Sequence, residues 1–427
     1  MPHATGNAAR LGAWIAAAAD RPLPPEVANA ARMCLADWFA VALGAAEEPA
    51  GRAVRTLIAG WGQGSAAVLF GAKAPPAAAA LANGTLAHCL DFDDTYVPAI
   101  THVSAPLWAA TLAVGEARSA PEVRLLRAFV TGFEVVGCLG DGLGQAVTAR
   151  GWHGTGVFGR LGAAAAAGVL LGLDAGQAAH ALALAATQAG GLTASFGSMA
   201  KPFHAGKAAM DGVIAAEAAA LGLTGNPAVL EHGGGLDGAL IQDGSVRLGT
   251  GEPTGRRILN NSFKPYAACH LIHPAIDAAF ALRARGVTRA TALHVRVTPL
   301  ADQVTGGGDG RPATALAAKF DLRHCIAMAF AGHAMSAADF RDPWRVDPAL
   351  GALAQRVTVQ ADPAIGYTEA VLTAETDSGP QRAHVAVAKG HPGNPMDWDD
   401  MRRKWDGLVA PAGAALFDRL RHLGAGA

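Results

Sequence analysis

The chain has 427 residues, 51% of them hydrophobic and 16% charged, and its 34 Lys and Arg nearly cancel its 35 Asp and Glu for a formal net charge of -1. That length buries a substantial core and sets a prior of two or three domains or one large one, while the hydrophobic share excludes a disordered chain. No basic surplus points to a nucleic-acid partner, and aromatics at 6% argue against a stacking platform for bases or sugars.

Residues 1 to about 250 read almost wholly as helix. Glu26 to Leu43 has apolar residues at helical spacing and ends at Gly44. A second pattern runs from Pro106 to about Ala117, and Pro121 opens the next at a first-turn position. The run 156–172 ends at Gly172, after which Asp174 caps a helix to about Ala186. Pro202 begins another, which reaches Leu221 and stops at Gly222. After about residue 255 the texture changes: 292–298, 355–360, 369–373 and 384–388 alternate with period two, as strands do. Helical patterns at Pro274 to Arg285 and Leu322 to Met335 lie among them, and Trp398 to Leu423 returns to amphipathic helix. The economical reading is a mainly α protein. A large all-helical domain (1–255 plus 391–427) is interrupted by a smaller α+β domain (256–390), and the last helix packs back on the first domain.

The longest apolar stretch, Leu161 to Leu173, is short of the ~20 residues a membrane span needs. The N-terminus MPHATGNAAR shows no leader pattern. The five cysteines, Cys34, Cys89, Cys138, Cys269 and Cys325, lack CxxC spacing. A reduced, cytoplasmic protein without membrane or nucleic-acid partners is the expectation.

Five segments gather polar groups within apolar surroundings. The first, Asn83 to Thr95 followed by Thr101-His102, holds Asp91, Asp93 and Asp94. If its helix continues, His88, Asp91 and Thr95 share one face and the other two carboxylates point elsewhere. Capping of a solvated helix end explains this segment equally well. In the second, His153 sits in a Gly-rich loop before a helix. A helix N-terminus binds anions, but the spacing is neither a P-loop nor a dinucleotide fingerprint. In the third, Lys201 and His204 open a helix, where cations oppose the macrodipole unless an anion lies between them. The fourth, Lys264-Pro-Tyr with Cys269, His270 and His273, has some zinc character, but no second cluster at finger spacing supports it. The fifth, Lys319 to Cys325 with His324, is weak alone. Together they offer acids, imidazoles and lysines, which suit removal of a proton α to a carboxylate with cations stabilising the enolate-like charge.

In order along the chain, Asn83-Gly, His88, Asp91-Phe-Asp-Asp-Thr95, His102, Trp152-His153-Gly-Thr, Lys201-Pro-Phe-His204-Ala-Gly-Lys, Lys264-Pro-Tyr and His273-Pro-Ala-Ile-Asp277 resemble the MmgE/PrpD family over nearly the whole length. That family includes 2-methylcitrate dehydratase, cis-aconitate decarboxylase and iminodisuccinate epimerase. The resemblance implies a helical domain built from both chain ends, a smaller α+β lid domain, an active site between them, and a homodimer. It also implies chemistry without metal or cofactor on small di- or tricarboxylates. By motif position it assigns Asp91, His102, His153, Lys201 and Lys264 as catalytic. Thr95, His204, His324 and His270 or His273 would bind substrate. His153 would be the general acid, and dehydration of the 2-methylcitrate type is favoured on family prevalence; decarboxylation or epimerisation is the alternative. Three features depart from the pattern. Val103 follows His102 where relatives have Pro, His324 stands near a usual Tyr, and 427 residues is short. Two readings of other classes compete: a magnesium-dependent diphosphate enzyme using Asp91-Phe-Asp-Asp, and a carboxylate-binding protein without catalysis.

Overall fold

The computed structural model describes residues 6–231, 233–249, 251–340 and 347–425; the first five residues of the segment read for a leader lie outside them. The chain divides into two compact units, Met1–Ser262 with Val409–Ala427, and Phe263–Leu408.

The first unit is helical. In chain order it contains α1 (Asn7–Ala16), α2 (Pro25–Gly44), α3 (Pro49–Ala59), α4 (Pro76–Leu86), α5 (Ser104–Ala117), α6 (Glu122–Gly140), α7 (Gly144–Ala149), α8 (Gly154–Leu171), α9 (Ala175–Ala186), α10 (Ala200–Ala220) and the short α11 (Leu236–Leu240). Their ends follow local chemistry. α2 carries Pro at its first position, where the missing N–H costs nothing. α8 stops at Gly172, whose φ of 72° favours a residue without Cβ. Asp174 and Gln177 then form a reciprocal capping box that starts α9.

α8 is the centre of this unit. Every residue from Gly154 to Leu170 is buried, and α5, α6, α9 and α10 pack around it. Among the described residues it is the one helix long and apolar enough to cross a membrane, with 18 residues at mean hydropathy 1.4, but 94% of it is buried within the fold. α10 also packs on α4. Two glycines meet at that crossing: a Cβ on Gly84 would lie 2.9 Å from the Gly206 Cα, and one on Gly206 would overlap the Leu81 carbonyl and Thr85 hydroxyl oxygens.

The second unit is α+β: α12 (His273–Ala284), β1 (Ala292–Val297), α13 (Pro299–Thr305), α14 (Ala315–Ala318), α15 (Leu322–Ala331), α16 (Pro348–Ala354), β2 (Val357–Ala361), β3 (Ala370–Glu375), β4 (Gln381–Val385) and α17 (Trp398–Leu408). The sheet order is β2-β1-β3-β4. β1 runs parallel to β2 with Val295 opposite Val359, and antiparallel to β3 with Val295 opposite Leu372. Leu293, Val295 and Val297 are buried while His294 is exposed, the alternation read from sequence. α12 covers β3 and β4 and also packs on α15.

The C-terminal stretch departs from the expected single helix. Ala410, at ψ 155°, leaves the helical region immediately before Pro411, because a proline disfavours helical geometry in the residue before it. α17 therefore belongs to the second unit. Only the last helix, α18 (Ala414–Arg421), packs on α2 in the first.

Candidate active site

Three elements of the first unit bring the polar groups together: the end of α4 with the loop to Thr101, the N-terminus of α8, and the N-terminus of α10. The α4 helix does not continue through Asp91. It ends at Leu86, and Asp91 turns the chain at φ 52°, a left-handed conformation that Asp tolerates better than most residues. The expected shared face of His88, Asp91 and Thr95 is thereby lost. Beyond the turn, Thr95 pairs with Ser262 and Tyr96 with Thr101 as isolated bridges. Ile100, at φ 44°, precedes Thr101. A β-branched residue there is a strained element of the segment that delivers His102.

The turn gives each carboxylate its own partners. Asp91 pairs with the Lys201 ammonium and lies 4.0 Å from His102 Nε2. Asp93 lies 2.8 Å from His88 Nδ1 and 3.2 Å from His102 Nδ1. Asp94 accepts hydrogen bonds from the Ser104 hydroxyl and from Asn261 Nδ2, the latter at 2.6 Å. All three are at most 3% exposed, so the solvated-end explanation fails. Among the described residues the three carboxylates form no joint group of metal-ligand make-up, which weighs against a diphosphate–magnesium motif. The anion beside Lys201 at the start of α10 is Asp91 itself, so the macrodipole argument for a ligand there is met within the protein.

The Asp94 carboxyl is pushed up to about 7, first by burial and then by the charge of Asp37. Its value in the fold thus exceeds the usual 3.8. Stability from this pair is complete below that usual value and is lost as pH rises through about 7. The expected result is a Tm that falls from about pH 5 to about pH 8, and a flatter profile in Asp37→Asn. Equal slopes in the two proteins would contradict it.

His153 caps α8, and its ring meets His204 at 3.2 Å between the two Nδ1 atoms. Burial, then the charges of His88, Lys201, His102 and His204, hold His153 well below 6.5. The burial that disfavours the imidazolium weighs against the general-acid role expected for His153, whose neutral ring keeps a single N–H. His204 is lowered in the same direction, chiefly by burial. Burial also takes His88 down to about 4 against the pull of Asp93. Thr95 Oγ1 lies 3.5 Å from His102 Nδ1, and the His102 backbone N–H donates to Thr155 at 3.0 Å.

Sequence reasoning missed three contributors. Asp93 was read as pointing away. Phe196 packs edge-on against His153, ring centroids 5.0 Å apart, with Lys201 Nζ 5.3 Å from its centroid. Arg160 of α8 binds Asp211 at 2.7 Å and the Gln188 and Gly190 carbonyls. It thereby fixes the loop whose Gly191 carbonyl accepts the His153 N–H.

The remaining expected residues lie in the second unit. Lys264 is 1% exposed. His273 Nε2 donates to the Ala268 carbonyl at 3.2 Å and its ring is 4.9 Å from that of His270. His324 follows Asp321, which caps α15 by accepting the His324 N–H at 3.0 Å; burial takes its imidazole down to about 4. Among the described residues the one group with metal-ligand make-up is His88, Asp93 and His102, its donor atoms within 4.8 Å of one another. The Cys269, His270 and His273 segment forms no such group among those residues.

Residues 9–248 match the MmgE/PrpD N-terminal domain and residues 266–417 the MmgE/PrpD C-terminal domain. The chain is 36% identical to cis-aconitate decarboxylase of Mus musculus over 231 residues, 52% of this chain and 46% of that protein. It is 36% identical to the Homo sapiens protein of that name over 219 residues, 49% of this chain and 45% of the relative. It is 25% identical to that of Aspergillus terreus over 350 residues, 76% of this chain and 71% of the relative. The matched regions thus span about half the length of the mouse and human relatives.

Proposed function

Because the chain belongs to the MmgE/PrpD family, we propose that it is a carboxy-lyase acting on a small unsaturated polycarboxylate of the cis-aconitate type. The observation that carries this reading is the meeting of a buried ammonium, Lys201, and an imidazole nitrogen, His102 Nε2, at one carboxylate, Asp91.

In such an acid, a CH₂-carboxylate leaves as CO₂. Its electron pair forms a new C=C bond, and the old C=C pair moves to the carbon α to another carboxylate. One proton delivered to that carbon completes an unsaturated dicarboxylate. Lys201, with three N–H donors, serves Asp91 and a substrate carboxylate together and stabilises the enolate-like charge. His102 delivers the proton from Nε2. Its Nδ1 faces the Asp93 carboxylate at 3.2 Å, an acceptor that leaves Nε2 as the transferring atom. His153 and His204 act as neutral hydrogen-bonding groups, and Thr95 stands beside His102. Lys264 is proposed as catalytic, and His270 or His273, with His324, as substrate-binding.

Dehydration of the 2-methylcitrate type is the second reading, since it passes through the same kind of anion. The names of the relatives favour decarboxylation. Incubation with cis-aconitate, 2-methylcitrate and iminodisuccinate in parallel separates the chemistries. CO₂ from the first acid is the expected result. Water loss or epimer exchange without CO₂ moves the assignment to those reactions, and no turnover of any acid contradicts the substrate class.

A further inference from the structure

We propose that Asp93 and His88, to which the resemblance assigns no role, are positioning residues that fix the tautomer of His102 so that Nε2 is its reactive atom. The inference rests on the carboxy-lyase reading for its kinetic consequences, but its structural core stands on the geometry alone.

The Asp93 carboxylate, 1% exposed, is shared by two imidazoles through the same ring position, His88 Nδ1 at 2.8 Å and His102 Nδ1 at 3.2 Å. An ionised carboxylate only accepts hydrogen bonds, so the His88 Nδ1 bonded to it carries a proton; His102 Nδ1, 3.2 Å from Asp93 and 3.5 Å from the Thr95 hydroxyl, carries one too in the proposed arrangement. Burial alone would raise the Asp93 carboxyl, but the charges and hydrogen bonds of His102 and His88 hold it well below 3.8. The two rings then differ in what their other nitrogen meets. His88 Nε2 is fully buried with no hydrogen-bond partner. An N–H left there would lose its water without replacement, and an imidazolium would cost more. His88 is therefore a fixed donor to Asp93 and does not carry the reacting proton. His102 keeps 12% of its side chain exposed and directs Nε2 toward Asp91. The two rings pack edge to face with centroids 4.5 Å apart, which restrains the His102 plane.

The proton bookkeeping is consistent with this assignment. Protonated His102 holds Nδ1–H on Asp93 and Nε2–H toward the substrate. Transfer breaks Nε2–H, forms C–H at the carbanion carbon, and leaves neutral His102 in the tautomer from which it started. A zinc ion on these three residues would displace both Nδ1 protons and is the competing structure.

Asp93→Asn tests the arrangement. The amide accepts through one end and donates through the other, so one imidazole must reverse its tautomer. The expected result is a fall in kcat of about 10²–10⁴ with KM within about threefold. A KM change alone, or an unchanged kcat, would overturn the proposal. The ¹⁵N spectrum of the wild-type protein tests the core without turnover or mutation: Nδ1–H forms at His88 and His102 are expected, and an Nε2–H neutral form at His102 overturns it. Stoichiometric zinc in the purified protein, with activity lost to a chelator, would also overturn it. An inactive wild type with the expected tautomers would contradict the proposed reaction and leave the positioning inference standing.

Discussion

Lys201→Met is expected to lower kcat/KM by about 10²–10³, the scale on which removal of one preorganised charge-stabilising donor acts. The fall should appear in kcat more than in KM if the ammonium binds the developing charge more strongly than the ground-state carboxylate. Stability complicates the comparison. Lys201 and Asp91 are a buried ion pair, with side chains 9% and 4% exposed. Breaking such a pair from one side costs about 3–5 kcal/mol, while replacing both partners costs far less. Lys201→Met should therefore also lower Tm, and Lys201→Met with Asp91→Asn should recover much of that loss. Activity should not return in the double variant. Recovery of both together would mean that Lys201 serves the fold alone.

The second large effect lies at the crossing of α4 and α10. α4 leads into the His88–Asp93 turn, and α10 begins with Lys201 and His204, so their closest approach sets the spacing of the site. Gly206→Ala places a methyl group against the Leu81 carbonyl and the Thr85 hydroxyl. A polar backbone atom cannot yield as a flexible side chain does. A destabilisation of about 3 kcal/mol is expected, near the upper end for overpacking, together with a drop in kcat from misplacement of Lys201 relative to His102. Gly351→Ala, in α16 with nothing within 4 Å of its Cβ position, is the control. There the same substitution should leave Tm unchanged or raise it slightly, since Ala is the better helix former. Equal effects at the two positions would show that the crossing does not constrain the site.

Much of the helical unit was legible because its punctuation is local. Gly44, Gly172 and Asp174 act within one turn of chain, and the observed ends of α2, α8 and the start of α9 fall on them. Strands β1 to β3 lie close to their period-two stretches, whereas β4 begins at Gln381 and shares only His384 and Val385 with the expected 384–388. The C-terminal stretch misled because its amphipathic pattern passes over Pro411, while the backbone does not.

Within the first unit the polar residues that the fold brings together were legible singly but not as a set of partnerships. Asp93 lies five residues from His88, a spacing that places the two on different helix faces; the left-handed Asp91 removes the helix on which that logic depends. The His153–His204 contact joins residues 51 positions apart, and no periodicity reports it. The proposed change of proton carrier from His153 to His102 rests on the burial of His153 and on the carboxylate that His102 faces. Neither is written in the motif. Near-neutral overall charge gave no hint of the ligand either, since the charges that count here are a few buried groups and their immediate partners.

Turnover of cis-aconitate in D₂O, followed by ¹H and ¹³C NMR, tests the central claim most directly. One CO₂ per product, with a single deuterium on the carbon α to a retained carboxylate, is the predicted result, and both signals should fall together in Lys201→Met. Deuterium exchange into the substrate without CO₂, or products formed only by loss or gain of water, would contradict it.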